Sequence, residues 1–270
     1  MKEKSKAIVL SQSMIAPGIF DLWLKTDIAL KAHSGQFVGV YPKDKSTLLP
    51  RPISICEVSD DFTALRLVYR VAGKGTDEFS SLKEGDEVML LGVLGNGYEF
   101  VKIFGEDLAG AKNVVLMGGG IGLPPMLQLA KELKAHGIKS TVIAGYRDNN
   151  IMLNLDLVRH ATLEIATEDG SVGIKGNVLD VVSQKDIKTD VILACGPMPM
   201  LRAIKKYAEN EKNNGHDIKA FISLEERMAC GVGACLGCVC KTTKNDAHSH
   251  VNNARICTDG PVFDSEDVDI

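Results

Sequence analysis

The chain has 270 residues, a formal net charge of −4 and a pI near 5.9, with 45% hydrophobic and 24% charged residues, the proportions of a folded globular protein of one large or two ordinary domains. The acidic balance and the lack of any basic run of five residues speak against a nucleic-acid partner. The longest early apolar run, 7–10, is too short for a signal-peptide core, and nothing approaches the ~18 apolar residues of a membrane span, so a cytoplasmic protein with no membrane association is expected.

Short apolar or alternating runs at 7–10, 19–24, 36–41, 53–58, 64–71 and 87–93 are separated by Pro, Gly and Asp-rich turns, a spacing that predicts a β-barrel or sandwich over 1–101. Arg51, Pro52, Ile53 and Ser54 open one of these strands. A guanidinium and a hydroxyl placed there suit an anionic phosphate beside a planar ring. Val68, Tyr69 and Arg70 repeat the combination on the next strand, with an aromatic to stack and a cation to pair. Each feature is equally compatible with an exposed arginine on a half-buried sheet. Thr76 as N-cap, followed by Asp77 and Glu78, predicts a short helix over 75–82, with Gly75 and Thr76 at an end where a second phosphate can rest.

The pattern changes near 102–112. A buried strand at 113–117 runs into Gly118, Gly119, Gly120, Ile121, Gly122, Leu123, Pro124 and Pro125, and then into a helix at 126–136 closed by Gly137. Strand, glycine turn and helix bring backbone N–H groups and a positive helix end to one place, the geometry that holds a pyrophosphate. Further strands at 140–146, 162–166, 191–194 and 219–222 alternate with helices at 177–183 and 198–213, which predicts a parallel α/β domain over 102–222. After the second strand, Arg147 can meet a 2′-phosphate, whereas Asp148 repels one or bonds a ribose hydroxyl. With no second basic residue nearby, NAD is favoured over NADP. Cys195, Gly196 and Pro197 stand where ligands of open α/β sheets collect, at the carboxyl end of a strand. Spacing alone reads Cys195 more readily as an ordinary buried thiol.

Five of the seven cysteines fall in the last segment, 223–270. Cys230, Cys235 and Cys238 are spaced Cys-x4-Cys-x2-Cys, and Cys257 follows at a distance, the plant-type pattern for a [2Fe–2S] cluster. Small residues between the thiols let the backbone wrap closely and turn N–H groups toward sulfur. A zinc site is the alternative, with His248 and His250 able to supply nitrogens.

Arg51–Ser54, the glycine turn 118–125 and Cys195–Pro197, in that order, resemble the ferredoxin–NADP reductase superfamily over roughly the first 220 residues. With Glu225, Glu226, Arg227 and Met228 before the cysteines and Asp259, Gly260, Pro261, Val262 and Phe263 after Cys257, the whole chain resembles the electron-transfer subunits of class 1B, NAD-dependent dihydroorotate dehydrogenases. The resemblance implies a flavin-binding barrel, a nicotinamide-binding α/β domain and a small [2Fe–2S] module. FAD would lie against Arg51, Pro52, Ile53, Ser54, Val68, Tyr69, Arg70, Gly75 and Thr76. NAD would lie against Gly118, Gly119, Gly120, Gly122, Gly196 and Pro197, with Cys195 beside the nicotinamide. Cys230, Cys235, Cys238 and Cys257 would ligate the cluster, Cys240 would be a spectator, and 241–254 would be a polar surface loop. The implied partner is an FMN-containing catalytic subunit in an α2β2 heterotetramer of pyrimidine biosynthesis. A related subunit serving ferredoxin- or NADP-linked chemistry, or sulfur reduction, is the neighbouring alternative.

Overall fold

The computed structural model describes residues 3–44, 46–106, 108, 112–245 and 250–270. Six antiparallel strands close a barrel: β1 (Glu3–Ala16), β2 (Ile19–Lys25), β3 (Phe37–Tyr41), β4 (Arg51–Val58), β5 (Ala64–Arg70) and β6 (Glu87–Leu94), in the order β1-β2-β5-β4-β3-β6 with β6 returning to β1. Strand β1 is far longer than its apolar run because it serves two neighbours. Residues 3–8 pair with β6 and 8–16 with β2, so its polar half is held by ladder bonds rather than burial. The alternation in β5 sorts its side chains. Leu65, Leu67 and Tyr69 fill the barrel, while Arg66 and Val68 point outward and are also buried.

The outward burial is explained by the second sheet. Strands β7 (Val114–Gly119), β8 (Ser140–Tyr146), β9 (Thr162–Thr167), β10 (Ile174–Lys175), β11 (Val191–Cys195) and β12 (Lys219–Ser223) are parallel, in the order β10-β9-β8-β7-β11-β12. Every residue of β7 is buried because helices cover both faces, as parallel sheets require. The helices are α1 (Lys74–Phe79), α2 (Phe100–Phe104), α3 (Pro124–Ala135), α4 (Asn154–Leu157), α5 (Val178–Gln184) and α6 (Met198–Asn213). The periodicity of α3 places Met126, Leu129, Ala130 and Leu133 on its sheet face. The structure buries Leu127 and Gln128 as well, since the barrel covers the other side.

The cysteine segment carries a hairpin, β13 (Val239–Lys241) with β14 (Asn253–Arg255), and ends in β15 (Val262–Asp264). Strand β15 pairs antiparallel with β12 and becomes the edge of the seven-stranded sheet, so the segment is stitched to the α/β domain by its tail. The polar stretch expected as a loop over 241–254 is thus hairpin at both ends. Residues 246–249, His248 among them, lie outside the described residues. Among the described residues no helix is long and apolar enough to cross a membrane.

Barrel and α/β domain are locked through α3. The buried Gln128 accepts a bond from the Val58 amide at 2.8 Å, and Lys131 donates to the Val58 carbonyl at 2.8 Å. Glu132 accepts from both the amide and the hydroxyl of Ser34. A second joint centres on Arg66, whose side chain is only 10% exposed. It forks onto Asp21 at 3.0 and 2.7 Å and reaches Glu57 on the barrel and Asp156 on α4, each at 3.1 Å. Burial opposes its charge, but the bonds to Asp21 and the surrounding carboxylates outweigh it and hold the guanidinium charged. Replacing Arg66 by Ala leaves Asp21 without its counter-ion and three carboxylates facing one another, opposed by Lys131 on Glu57 and the exposed Arg159 near Asp156. The expected loss is about 3–5 kcal/mol of unfolding free energy, the range for breaking a buried ion pair, read by urea denaturation.

Candidate functional site: a cleft between barrel and sheet, and a cysteine cradle beside it

Two of the predicted residues meet at the barrel rim. Arg51 at the start of β4 lies over Gly75 in α1, so closely that a Cβ on Gly75 would stand 2.6 Å from its Nε. The guanidinium is steadied by the Leu49 carbonyl. Ser54 and Ile53 follow it on β4, half-buried, and Pro52 is exposed. The arrangement presents a fork of donors beside a side-chain-free helix turn, suited to a phosphate group. Thr76 does something other than the sequence suggests. It is the third residue of α1, not its N-cap, and its hydroxyl accepts bonds from the Ala72 and Gly73 amides, shaping the turn rather than facing a ligand.

Tyr69 is also placed differently. Its ring is inside the barrel, stacked on Phe20 at 5.7 Å and edge-on to Phe79 at 6.0 Å, and its hydroxyl donates to Gln12. Strand alternation turns Tyr69 inward and leaves Arg70 exposed at the strand end. Val68 packs against the α/β domain. Of the trio expected to meet a flavin, only Arg70 offers a side chain to the cleft.

Across the cleft, the end of β7 and the end of β11 are adjacent. Cys195 pairs with Gly118 in the sheet register. A Cβ on Gly119 would stand 2.7 Å from the sulfur of Met200 and 2.8 Å from Pro197, and one on Gly122 would overlap the Cys195 carbonyl. These glycines let the turn and the Cys195–Pro197 segment close against each other. Gly120 is different: its φ of +53° is left-handed, and a Cβ there would come no nearer to any group than 3.8 Å, from the Arg70 guanidinium. It is the open face of the turn, directed at the barrel. On β8, Tyr146 donates its hydroxyl to the Met152 carbonyl and accepts from the Met152 amide, closing the loop that carries Arg147 and Asp148. Asp148 is tied to Asn150 and faces inward more than the exposed Arg147.

Cys195 is fully buried, and burial, reinforced by the charge of Glu225, pushes its thiol up to about 12 against a hydrogen bond from Ser223. Glu225 is the residue that sequence reading missed as part of this cleft. It follows the end of β12, next to β11, and its carboxyl is raised by desolvation against the opposing pull of Arg70. The signal was present as an acid two residues beyond a strand that borders Cys195. Only the strand order places it there.

The four expected ligand cysteines assemble as two pairs. Cys230 shares a hydrogen bond with Cys235, and Cys238 shares one with Cys257. Burial opposes ionisation of Cys230, but the amides of Val232, Cys235 and Ala234 and the Cys235 thiol prevail and bring it down to about 6. The Val232 amide reaches its sulfur at 3.4 Å, and the Gly237 amide reaches that of Cys235 at the same distance. Cys257 is pushed up to about 11 by burial and by Cys238. Two thiol pairs with amide donors aimed at sulfur fit a binuclear cluster, in which each iron takes two cysteines. Cys240 sits on β13 opposite Ala254, its thiol raised by burial. Gly231, inside the cysteine loop, packs on Leu94 and Leu91 of β6, so the cradle rests on the flank of the barrel.

Comparison with known proteins agrees with this assembly. Residues 225–269 match the iron–sulfur cluster binding domain of dihydroorotate dehydrogenase B. The chain is 39% identical over 256 residues to the dihydroorotate dehydrogenase B (NAD(+)) electron transfer subunit of Streptococcus pneumoniae, spanning 94% of this chain and 96% of that one. It is 38% identical to the corresponding Listeria monocytogenes subunit over 263 residues, 97% of each. A solved structure of an NADH-dependent reduced ferredoxin–NADP oxidoreductase superposes with a TM-score of 0.82 at 27% identity, covering 100% of this chain and 91% of that one. At this identity and coverage, the chain belongs to the family of dihydroorotate dehydrogenase B (NAD(+)) electron transfer subunits.

Proposed function

We propose that this chain relays electrons from an FMN-bearing subunit that oxidises dihydroorotate to NAD+, using a [2Fe–2S] cluster and FAD held by its own residues, within cytoplasmic pyrimidine (UMP) biosynthesis. The observation that carries the reading is the packing of the paired cysteines on the flank of the same barrel whose rim presents Arg51 and Arg70. Bound FAD exchanges single electrons on one side and a hydride with nicotinamide on the other.

The residues divide the work. Arg51 and the backbone at Gly75 and Thr76 hold the flavin's phosphates, with Pro52, Ile53 and Ser54 lining its ring. Val68 and Tyr69 shape the strand that carries Arg70. Gly118, Gly119, Gly120 and Gly122 bring the dinucleotide's phosphates to the turn ahead of α3; the helix itself opens with Pro124 and Pro125, which carry no N–H, so the donors there are the amides of the glycine turn. Gly196 and Pro197 let nicotinamide approach. Asp148 favours the ribose hydroxyl of NAD over the 2′-phosphate of NADP. Cys195 stays a neutral thiol beside the nicotinamide, so it shapes that surface without adding charge. Cys230, Cys235, Cys238 and Cys257 would hold the cluster, whose one-electron chemistry they would place beside the barrel. The companion is the FMN subunit, in an α2β2 assembly.

Purification of the native complex tests the assignment. A companion chain containing FMN and oxidising dihydroorotate, with NADH preferred over NADPH, is expected. Its absence, with preference for NADPH, would transfer the chain to the ferredoxin- or NADP-linked alternative, and a colourless protein would overturn both. Cys235→Ser should abolish the cluster's visible and paramagnetic signals and the coupled reaction while leaving NADH reduction of FAD within about twofold. Cys195, protonated far above neutral pH and buried, should resist iodoacetamide in the native protein at pH 8 and react once unfolded. Mass spectrometry of the labelled peptide reads the difference, and rapid native labelling would contradict the geometry.

A further inference from the structure

Cys257 is held by a turn with no ladder of its own, between β14 and β15, yet it is the cysteine most distant in sequence from its three companions. Arg255 and Asp259 flank it, two residues on either side. The Asp259 carboxylate accepts from the Arg255 amide at 2.8 Å and from its Nε and Nη2, each at 3.1 Å, a forked pair that spans the cysteine. The Arg255 carbonyl in turn accepts from the amides of Thr258, Asp259 and Gly260. From the same guanidinium, Nη1 reaches the Gly233 carbonyl at 3.5 Å, in the loop between Cys230 and Cys235. Gly233 packs so tightly there that a Cβ would stand 2.8 Å from Thr258.

The barrel grips the other side of this turn. Asn96, just past β6, donates its carboxamide to the carbonyls of Thr258 at 3.0 Å and Asp259 at 3.3 Å, and its amide to the Gly260 carbonyl at 2.6 Å. At Gly95 a Cβ would stand 2.6 Å from Pro261. An unbroken chain of contacts therefore runs from β6 through Asn96, Asp259 and Arg255 to the loop of Cys230 and Cys235.

We propose that Arg255, Asp259 and Asn96 form a clasp that positions the one-electron centre: the ion pair joins the Cys257 turn to the Cys230–Cys235 loop, and Asn96 fastens both to the flavin barrel. The inference rests on the cofactor reading above. An isolated surface ion pair contributes little; this one is bidentate and ties together two loops that must present thiolates to one cluster. Electron transfer falls steeply with distance, so a cradle that sways on the barrel slows transfer even when the cluster is complete.

The test uses the purified holoprotein. Asn96→Asp keeps the size of the side chain and removes its donor. It should retain iron, flavin and NADH reduction of the flavin, weaken the magnetic coupling between flavin radical and reduced cluster, and measurably slow reduction of the cluster by NADH. Arg255→Lys keeps the charge and loses the fork, and should do the same or shed the cluster. Unchanged coupling and rate in Asn96→Asp would overturn the clasp, as would lost iron with normal coupling in the molecules still loaded. Hydrogen exchange supplies a readout that needs no cofactor: the amides of Thr258, Asp259 and Gly260 should be protected in the wild type and released in Arg255→Lys. Fast exchange in the wild type would overturn the clasp, whereas a wild type without flavin or cluster would overturn the cofactor reading and leave exchange to decide.

Discussion

Everything in this molecule is placed by one rigid joint, helix α3 against strand β4. The helix starts at the glycine turn and the strand starts at Arg51, so docking them fixes the distance between the two halves of the cleft. The joint is polar where hydrophobic packing alone could slip. Gln128 and Lys131 satisfy both backbone groups of Val58 at the strand's end, where the ladder no longer does. Directional bonds specify a register that a smooth apolar face would leave open, and the Arg66 network repeats the device one layer away.

The cysteine cradle depends on the same logic at lower structural density. It has few ladder bonds and little apolar core of its own, and it borrows rigidity from β12 through β15 and from β6 through Asn96. A small segment below the size that sustains its own core needs such anchoring or a metal. The anchoring is visible in the fold: backbone amides point at the sulfurs of Cys230 and Cys235, and those around Cys230 favour its thiolate.

What could be read from sequence was whatever is local. Alternation marked the barrel strands, the glycine run marked a strand–turn–helix corner, and the cysteine spacing marked the iron–sulfur module, because each is written within a dozen or so residues. Helix α6 was legible to its ends for the same reason. What escaped was set by partners distant in the chain. Tyr69 looked like a stacking aromatic until the strand's inward face claimed it. Thr76 looked like an N-cap until Gly73 took that position. The burial of Gln128, the half of β1 that pairs with β6 and the arrival of Glu225 beside Cys195 all follow from strand order, which no single stretch encodes.

The sheet order also explains why the two redox functions can share one small chain. The edge left by β12 is extended by the short β15, which delivers the turn of Cys257 to the barrel's β6 side. The glycine turn lies two strands inward, at β7, and opens toward Arg70. In the proposed relay, cluster and nicotinamide would reach the barrel from different sides, with the rim that carries Arg51 and Arg70 between them. A two-electron exchange and a one-electron exchange at the same flavin need such separation, since overlapping entrances would let one ligand block the other. The topology supplies it without any added domain.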